Sequence, residues 1–264
     1  MAHYRTKKRF GQHFLHDSSI IERMISAINP RMDDQFVEIG PGLGALTFPL
    51  LKYINALDVV EIDRDVIARL TLKKQRGKLE QLTIHSCDAL KMDFTALPKH
   101  ASKLRVVGNL PYNISTPLIF HLLESAHIIQ DMHFMLQNEV VQRITAEPNS
   151  KTYGRLSIMV QYYCDTEYLF FVPPGAFSPP PKVDSAILRL TPWQQLPYKA
   201  NDEKHFSRLV TQAFSTRRKT LRNTLKKMLS TEQIESIGIN PGLRPENISV
   251  SEYVALSNLP IDNS

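Results

Sequence analysis

Cysteine is nearly absent: the 264 residues contain only Cys87 and Cys164. Two such residues cannot build a disulfide framework, and a reducing cytosol fits best. They lie far apart in sequence, and His3, His13 and His16 fall on no recognised ligand spacing. No metal is therefore expected. Apolar runs are all too short to span a membrane. The basic start (Arg5, Lys7, Lys8, Arg9) is not followed by the apolar stretch of a signal peptide. A G-x-S-x-G nucleophile elbow and a P-loop lysine are both missing, which counts against Ser or Cys nucleophilic chemistry. Internal repeats and low-complexity tracts are missing too. What remains is a globular composition with a formal charge of +6, and that surplus suggests a polyanionic partner, usually nucleic acid.

Short apolar runs alternate with helical patterns up to about Val140. Asp17 is placed to cap a helix through Ile20, Ile21, Met24, Ile25 and Ile28 that Pro30 stops. Strands are expected at 35–39, 57–62, 82–85, 104–107 and 132–136, and helices at 64–74 and 115–125, the latter capped by Ser115. Such alternation predicts a parallel sheet covered on both faces. Two later strands, 168–172 and 185–190, flank a proline-rich segment and suit antiparallel additions. A domain boundary is expected near Pro192, giving units 1–191 and 192–264. The second is helical, and from Lys204 to Lys227 it carries eight Lys or Arg and no acid.

The chemistry-bearing stretches fall at strand ends. Asn109-Leu110-Pro111-Tyr112 follows the fourth strand, at the sheet edge where open α/β folds bind ligands. Its groups suit a flat ring bearing an amine. The Asn amide oxygen and the Leu carbonyl accept hydrogen bonds, Pro111 removes a competing donor, and Tyr112 offers a face. Gly40-x-Gly42-x-Gly44 lets the backbone approach a ligand at a helix start, with Pro49 forcing a late start or a kink. Glu61, about 20 residues on, is placed for ribose hydroxyls. A dinucleotide fingerprint would read G-x-G-x-x-G; here the third glycine comes one residue early and Ala45 stands in its place. That spacing is more usual for S-adenosylmethionine, although a mere tight turn remains an alternative. Glu38 suits the ammonium group of such a ligand, or a basic neighbour. Asp88 suits an adenine amine, or a helix cap. His13 and Leu15 are placed to close over the site. The Phe177–Ser185 stretch, with three consecutive prolines, can hold Phe177 opposite Tyr112 as a slot for one flipped base, or be a rigid turn with Phe177 in the core. Arg217, Arg218, Lys219 and Arg222 open a basic helix whose apolar face leaves its charges free for phosphates, or simply solvated.

Taken together, Gln12-His13-Phe14-Leu15, Glu38 to Gly44, Asn109 to Tyr112, Phe177 to Ser185 and Arg217 to Asn223 closely resemble the KsgA (RsmA) family of ribosomal RNA adenine N6-dimethyltransferases. The motifs occur in the family's order over nearly the whole chain. The resemblance implies a Rossmann-like, seven-stranded class I methyltransferase domain with a small all-α C-terminal domain. It implies transfer of four methyls from S-adenosylmethionine to two adjacent adenosines near the 3′ end of 16S rRNA in the immature small ribosomal subunit. It also carries cofactor roles onto His13, Leu15, Gly40, Glu61, Asp88 and Asn109. Many relatives have Asn at the place of His13, a change that backbone contacts would survive. A cytoplasmic monomer is expected. The nearest rival is an Erm-type methyltransferase of large-subunit rRNA. A mainly non-catalytic RNA-binding assembly factor and a nicotinamide oxidoreductase are further alternatives, the last disfavoured by the glycine spacing.

Overall fold

The computed structural model describes residues 13–97, 103–216 and 218–260. Its described residues divide into two units. One comprises the residues up to Val141 together with Glu167–Pro192; the other comprises Gln142–Thr166 and the residues from Trp193 on. The boundary expected at 191/192 describes only one of these divisions, because 142–166 group with the C-terminal helices.

In the first unit, the apolar spacing of Ser18–Ile28 buries Ile20, Met24, Ile25 and Ile28 on one face. The Asp17 carboxylate accepts from the amides of Ser19 and Ile20 at the helix start, and Asn29 ends the helix in the left-handed region. The strands are β1 (Phe14–Leu15), β2 (Gln35–Ile39), β3 (Ala56–Glu61), β4 (Leu82–Ser86), β5 (Leu104–Asn109), β6 (Ile129–Gln137), β7 (Cys164–Val172), β8 (Phe177–Ser178) and β9 (Ser185–Pro192). Seven form one sheet in the order β4-β3-β2-β5-β6-β9-β7. The pairs β2–β3, β2–β5, β3–β4 and β5–β6 are parallel, and β6–β9 is antiparallel. Every residue of β2 is buried, as strands covered on both faces require. The register brings Ile39, Glu61, Ser86 and Asn109 to one carboxyl edge.

The small sheet β1–β8 pairs Phe14 with Ser178 and Leu15 with Phe177. Two-residue strands leave too short a pattern to read from sequence. The helix after the glycines spans only Thr47–Leu50. The glycines therefore lie in a turn before it rather than at its first residues. Likewise the helix Ser115–Leu123 has Ile114 as its cap residue, without a side-chain bond. Ser115 does not cap it; its hydroxyl donates to the Tyr112 carbonyl at 3.2 Å.

In the second unit, helices Arg155–Tyr163, Glu203–Ala213 and Val250–Ser257 pack on one another. Phe206, Leu209, Val210 and Ala213 form the buried face of Glu203–Ala213. The Tyr162 and Phe206 rings lie 4.6 Å apart, and the buried Tyr153 hydroxyl donates to the Ile248 carbonyl at 3.0 Å. The basic segment holds a helix of only four residues, Leu221–Thr224. Leu221 and Leu225 are buried beside exposed Arg218, Lys219 and Arg222. Arg217 lies outside the described residues. Among the described residues no helix is long and apolar enough to cross a membrane.

Candidate active site

At the carboxyl edge of the sheet lies a cavity of about 360 Å³ within the first unit. Its lining includes His13, Leu15, Glu38, Gly40, Gly42 and Glu61 from the cofactor set. Asp88 and the whole Asn109-Leu110-Pro111-Tyr112 stretch line it as well.

The glycine turn gives the cavity its floor. Gly40, Gly42 and Gly44 have φ of 66°, 54° and 88°, a region costly for residues with a Cβ. At Gly44 a Cβ would also fall 2.0 Å from the Phe48 ring. Lys73 holds the turn from outside, its ammonium donating to the Leu43 carbonyl at 2.9 Å.

Two carboxylates face this space from β2 and β3. Glu38 is only 2 % exposed, and the Thr47 hydroxyl donates to it at 2.6 Å. Burial pushes its carboxyl up to about 7, against the lowering effect of Thr47 and with a further upward push from Glu61. Glu61 accepts the Ile62 and Asp63 amides at 2.8 and 2.9 Å on one oxygen. Its carboxyl is also raised, mainly by burial, although those amides and that of Gly42 pull it down. Asp88 caps the 3-10 turn Ala89–Lys91 by accepting from Leu90 at 3.0 Å, and it lines the cavity as well. The two alternatives for Asp88 are thus compatible.

Asn109 ends β5, and its amide Nδ2 donates to the His13 carbonyl at 3.2 Å. That bond commits the nitrogen and leaves the amide oxygen as the acceptor. The Leu110 amide donates to Met135 at 3.2 Å, anchoring the turn on β6. Tyr112 shares a 3.0 Å hydrogen bond with Ser185 Oγ. Burial raises its hydroxyl pKa, and the Ser185 bond acts against the rise. The His13 ring stacks on Tyr112, with centroids 6.2 Å apart and planes 25° from parallel. His13 Nδ1 lies 2.8 Å from the Pro179 carbonyl. The His13 side chain is therefore engaged with the protein itself, and its carbonyl with Asn109.

Phe177 departs from expectation. It is 3 % exposed, packs in the core with Leu15, Met135 and Ile187, and does not line the cavity. Pairing of β8 with β1 turns its ring inward, so the proline segment contributes through its two ends instead. Pro179 meets His13, and Ser185 meets Tyr112. Residues that sequence reasoning missed include Ile62, Leu90, Met24 and Lys73. Ile62 is half exposed and lines the cavity one position past Glu61. A large apolar residue just beyond a strand end was the available signal.

A family model for ribosomal RNA adenine dimethylase matches residues 3–262. The chain belongs to that family. It is 58 % identical over 259 residues to ribosomal RNA small subunit methyltransferase A of Alcanivorax borkumensis, covering 98 % of this chain and 91 % of that protein. The protein of the same name from Pseudomonas aeruginosa is 56 % identical, with 97 % and 94 % covered. Among solved structures, a dimethyladenosine transferase from Plasmodium falciparum superposes with a TM-score of 0.79 at 25 % identity, covering 92 % of this chain and 96 % of that one. The 23S rRNA methyltransferase ErmE superposes at 0.74 and 23 % identity over 92 % and 97 %, a likeness of fold alone. Both neighbours fit the Rossmann-like methyltransferase architecture seen here.

Proposed function

We propose that the protein dimethylates N6 of two adjacent adenosines in the 3′-terminal hairpin loop of small-subunit (16S) rRNA, with S-adenosylmethionine as methyl donor. The amide of Asn109 carries this reading: its nitrogen is tied to His13, and its oxygen is left to accept from an exocyclic amine.

The cavity fits the donor on its own chemistry. Glu38 is a buried carboxylate that accepts from the Thr47 hydroxyl, and among the described residues no basic side chain pairs with it, so a ligand's ammonium would supply the counter-charge. Glu61, which takes the Ile62 and Asp63 amides on one oxygen, is placed at the strand end to accept ribose hydroxyls. Asp88 offers an acceptor, and Ile62 and Leu90 offer apolar surface for adenine. When bound, the donor supplies an electrophilic methyl on a sulfonium.

The residues of the chain then act by positioning. The N6 lone pair is delocalised into the target ring, which makes it a poor nucleophile. The Asn109 oxygen and the Leu110 carbonyl hold its hydrogens and favour a pyramidal amine whose lone pair is free for in-line attack. Tyr112 presents its face to the base, fixed at its hydroxyl by Ser185 and on one side by His13. As the N–C bond forms and the C–S bond breaks, N6 becomes acidic and releases its proton to solvent, so no strong base is needed. Arg218, Lys219 and Arg222, exposed beside a short helix, are assigned to RNA phosphates together with Arg217.

The same reading makes the substrate an immature small subunit met by a cytoplasmic monomer, and gives the protein a role in subunit biogenesis. Two free cysteines accord with a reducing compartment. Labelled methyl transfer from S-adenosylmethionine to purified undermethylated small subunits tests the proposal. Dimethyladenosine should accumulate in their rRNA; label appearing only in large-subunit rRNA would favour the Erm-type alternative.

A further inference from the structure

The second unit carries its own cavity, of about 220 Å³, whose lining shares no residue with the cavity of the first unit. Its walls include Trp193, Tyr198 and Tyr162 together with Glu147 and Asp165, and no Lys or Arg among the described residues lines it. Trp193 is 39 % exposed and Tyr198 is 50 % exposed. Large aromatic surfaces left open in this way commonly mark binding sites. The Trp193 ring is held in place: its indole nitrogen donates to the Gln161 carbonyl at 3.2 Å, and its amide donates to the Tyr163 carbonyl at 3.0 Å. This is a fixed face that keeps its orientation without a ligand.

Charge decides what such a face accepts. The chain as a whole is at +6, and the basic segment 204–227 has no acid. Here the sign inverts, with two exposed carboxylates beside aromatic rings. Carboxylates repel phosphate, so a stacked nucleotide is disfavoured despite the rings. A cation is favoured twice, by the ring faces and by the carboxylates. A planar guanidinium suits both groups better than a compact ammonium does, since it stacks and makes paired bonds to a carboxylate.

We propose that this cavity is a docking site for an arginine side chain presented by a basic polypeptide segment. It would give the protein a protein-directed contact separate from its RNA-directed charges.

Trp193 is the single tryptophan of the chain, so its fluorescence reports on this site alone. The full-length protein is titrated with an acetylated, amidated glycine-arginine-glycine-arginine-glycine peptide. A matched peptide with neutral citrulline in place of arginine serves as control. The arginine peptide should shift the emission saturably while the citrulline peptide does not. Glu147→Gln with Asp165→Asn should weaken the response about tenfold and leave S-adenosylmethionine binding unchanged. Both substituted residues are exposed, so folding is not at stake. No response to the arginine peptide, equal responses to both peptides, or a double variant that binds as before would each overturn the proposal. A saturable response to a small-subunit rRNA hairpin that the arginine peptide fails to displace would also overturn it, in favour of an RNA-stacking face.

Discussion

The two edges of the main sheet hold cavities of nearly equal volume, about 360 Å³ at the carboxyl edge and about 370 Å³ near the start of β5. They differ in how charge is matched. Near the start of β5, Arg105 donates to Asp131 through Nε and Nη2, to Asp34 through Nη1 at 2.7 Å, and to the Ile28 carbonyl at 2.6 Å. Its guanidinium is matched by two carboxylates. The neighbouring His133 has no hydrogen-bond partner among the described residues, but burial pushes its imidazole down to about 4. It is therefore neutral at physiological pH and adds no unmatched charge. At the carboxyl edge two buried carboxylates, Glu38 and Glu61, line the cavity, and among the described residues no Lys or Arg is paired with either. Volume does not separate a locked region from a binding site here; unmatched charge does.

The sharpest test of that contrast is at the open edge. Asn109→Ala removes the acceptor placed for the target amine, and turnover should fall about a hundredfold or more. S-adenosylmethionine binding should remain measurable by calorimetry. Normal methyl transfer in this variant would take Asn109 out of the mechanism. At the locked edge, Arg105→Met leaves the buried Asp131 and the partly buried Asp34 without their guanidinium partner, which should cost about 3–5 kcal/mol of stability. Denaturant midpoints measure that loss, and the affinity of the folded variant for S-adenosylmethionine should change little. A midpoint equal to that of the parent would mean the cluster is not a lock.

The open edge was far more legible in sequence than the locked one. Glu38, Glu61, Asp88 and Asn109 each follow or end a short apolar run, so the strand pattern alone brings them to one edge. Arg105, Asp131 and Asp34 join across 26 and 71 positions, and nothing local marks a charged residue that will be buried by such partners. The same limit explains Phe177. Its motif was visible, but whether its ring faced the cavity or the core depended on a two-residue pairing with β1. The four-residue helix after the glycines follows from turn geometry at Gly40 to Gly44, where apolar periodicity carries no information. In the second unit the buried face of Glu203–Ala213 was plain from its spacing, whereas the inclusion of 142–166 was not.

A control confined to the second unit comes next. Replacing Arg218, Lys219 and Arg222 together by Gln should weaken RNA binding and lower the log–log salt slope by about 2. Stability and donor affinity should stay as they were. An unchanged slope would remove these residues from the RNA-facing set.

Glu38→Gln probes the unmatched charge directly, and its two effects have opposite sign. Affinity for S-adenosylmethionine should drop about tenfold through the loss of the ammonium partner. Ligand-free stability should change in the other direction. A carboxyl whose value rises from 4.5 to about 7 on folding binds more protons in the folded state between those limits. Stability should therefore decline as pH rises through that window, by at most about 3 kcal/mol. The Gln variant should lose this decline while its carbonyl still accepts from Thr47. Thermal melts from pH 4.5 to 8 decide the matter: a parental protein with no such decline would show that Glu38 is already ionised in the empty site.

The smallest expected effect separates holding the base from binding the donor. Ser185 is fully buried and reaches the cavity only through the Tyr112 hydroxyl. Ser185→Ala therefore removes one hydrogen bond worth about 1 kcal/mol and frees the ring at one end. Turnover should fall severalfold with S-adenosylmethionine affinity intact. Tyr112→Phe should reproduce the defect, because it removes the same bond and keeps the stacking face. Combining the two should add little, since each removes one half of a single interaction. Additive losses would mean that Ser185 and the Tyr112 hydroxyl support the site by separate routes.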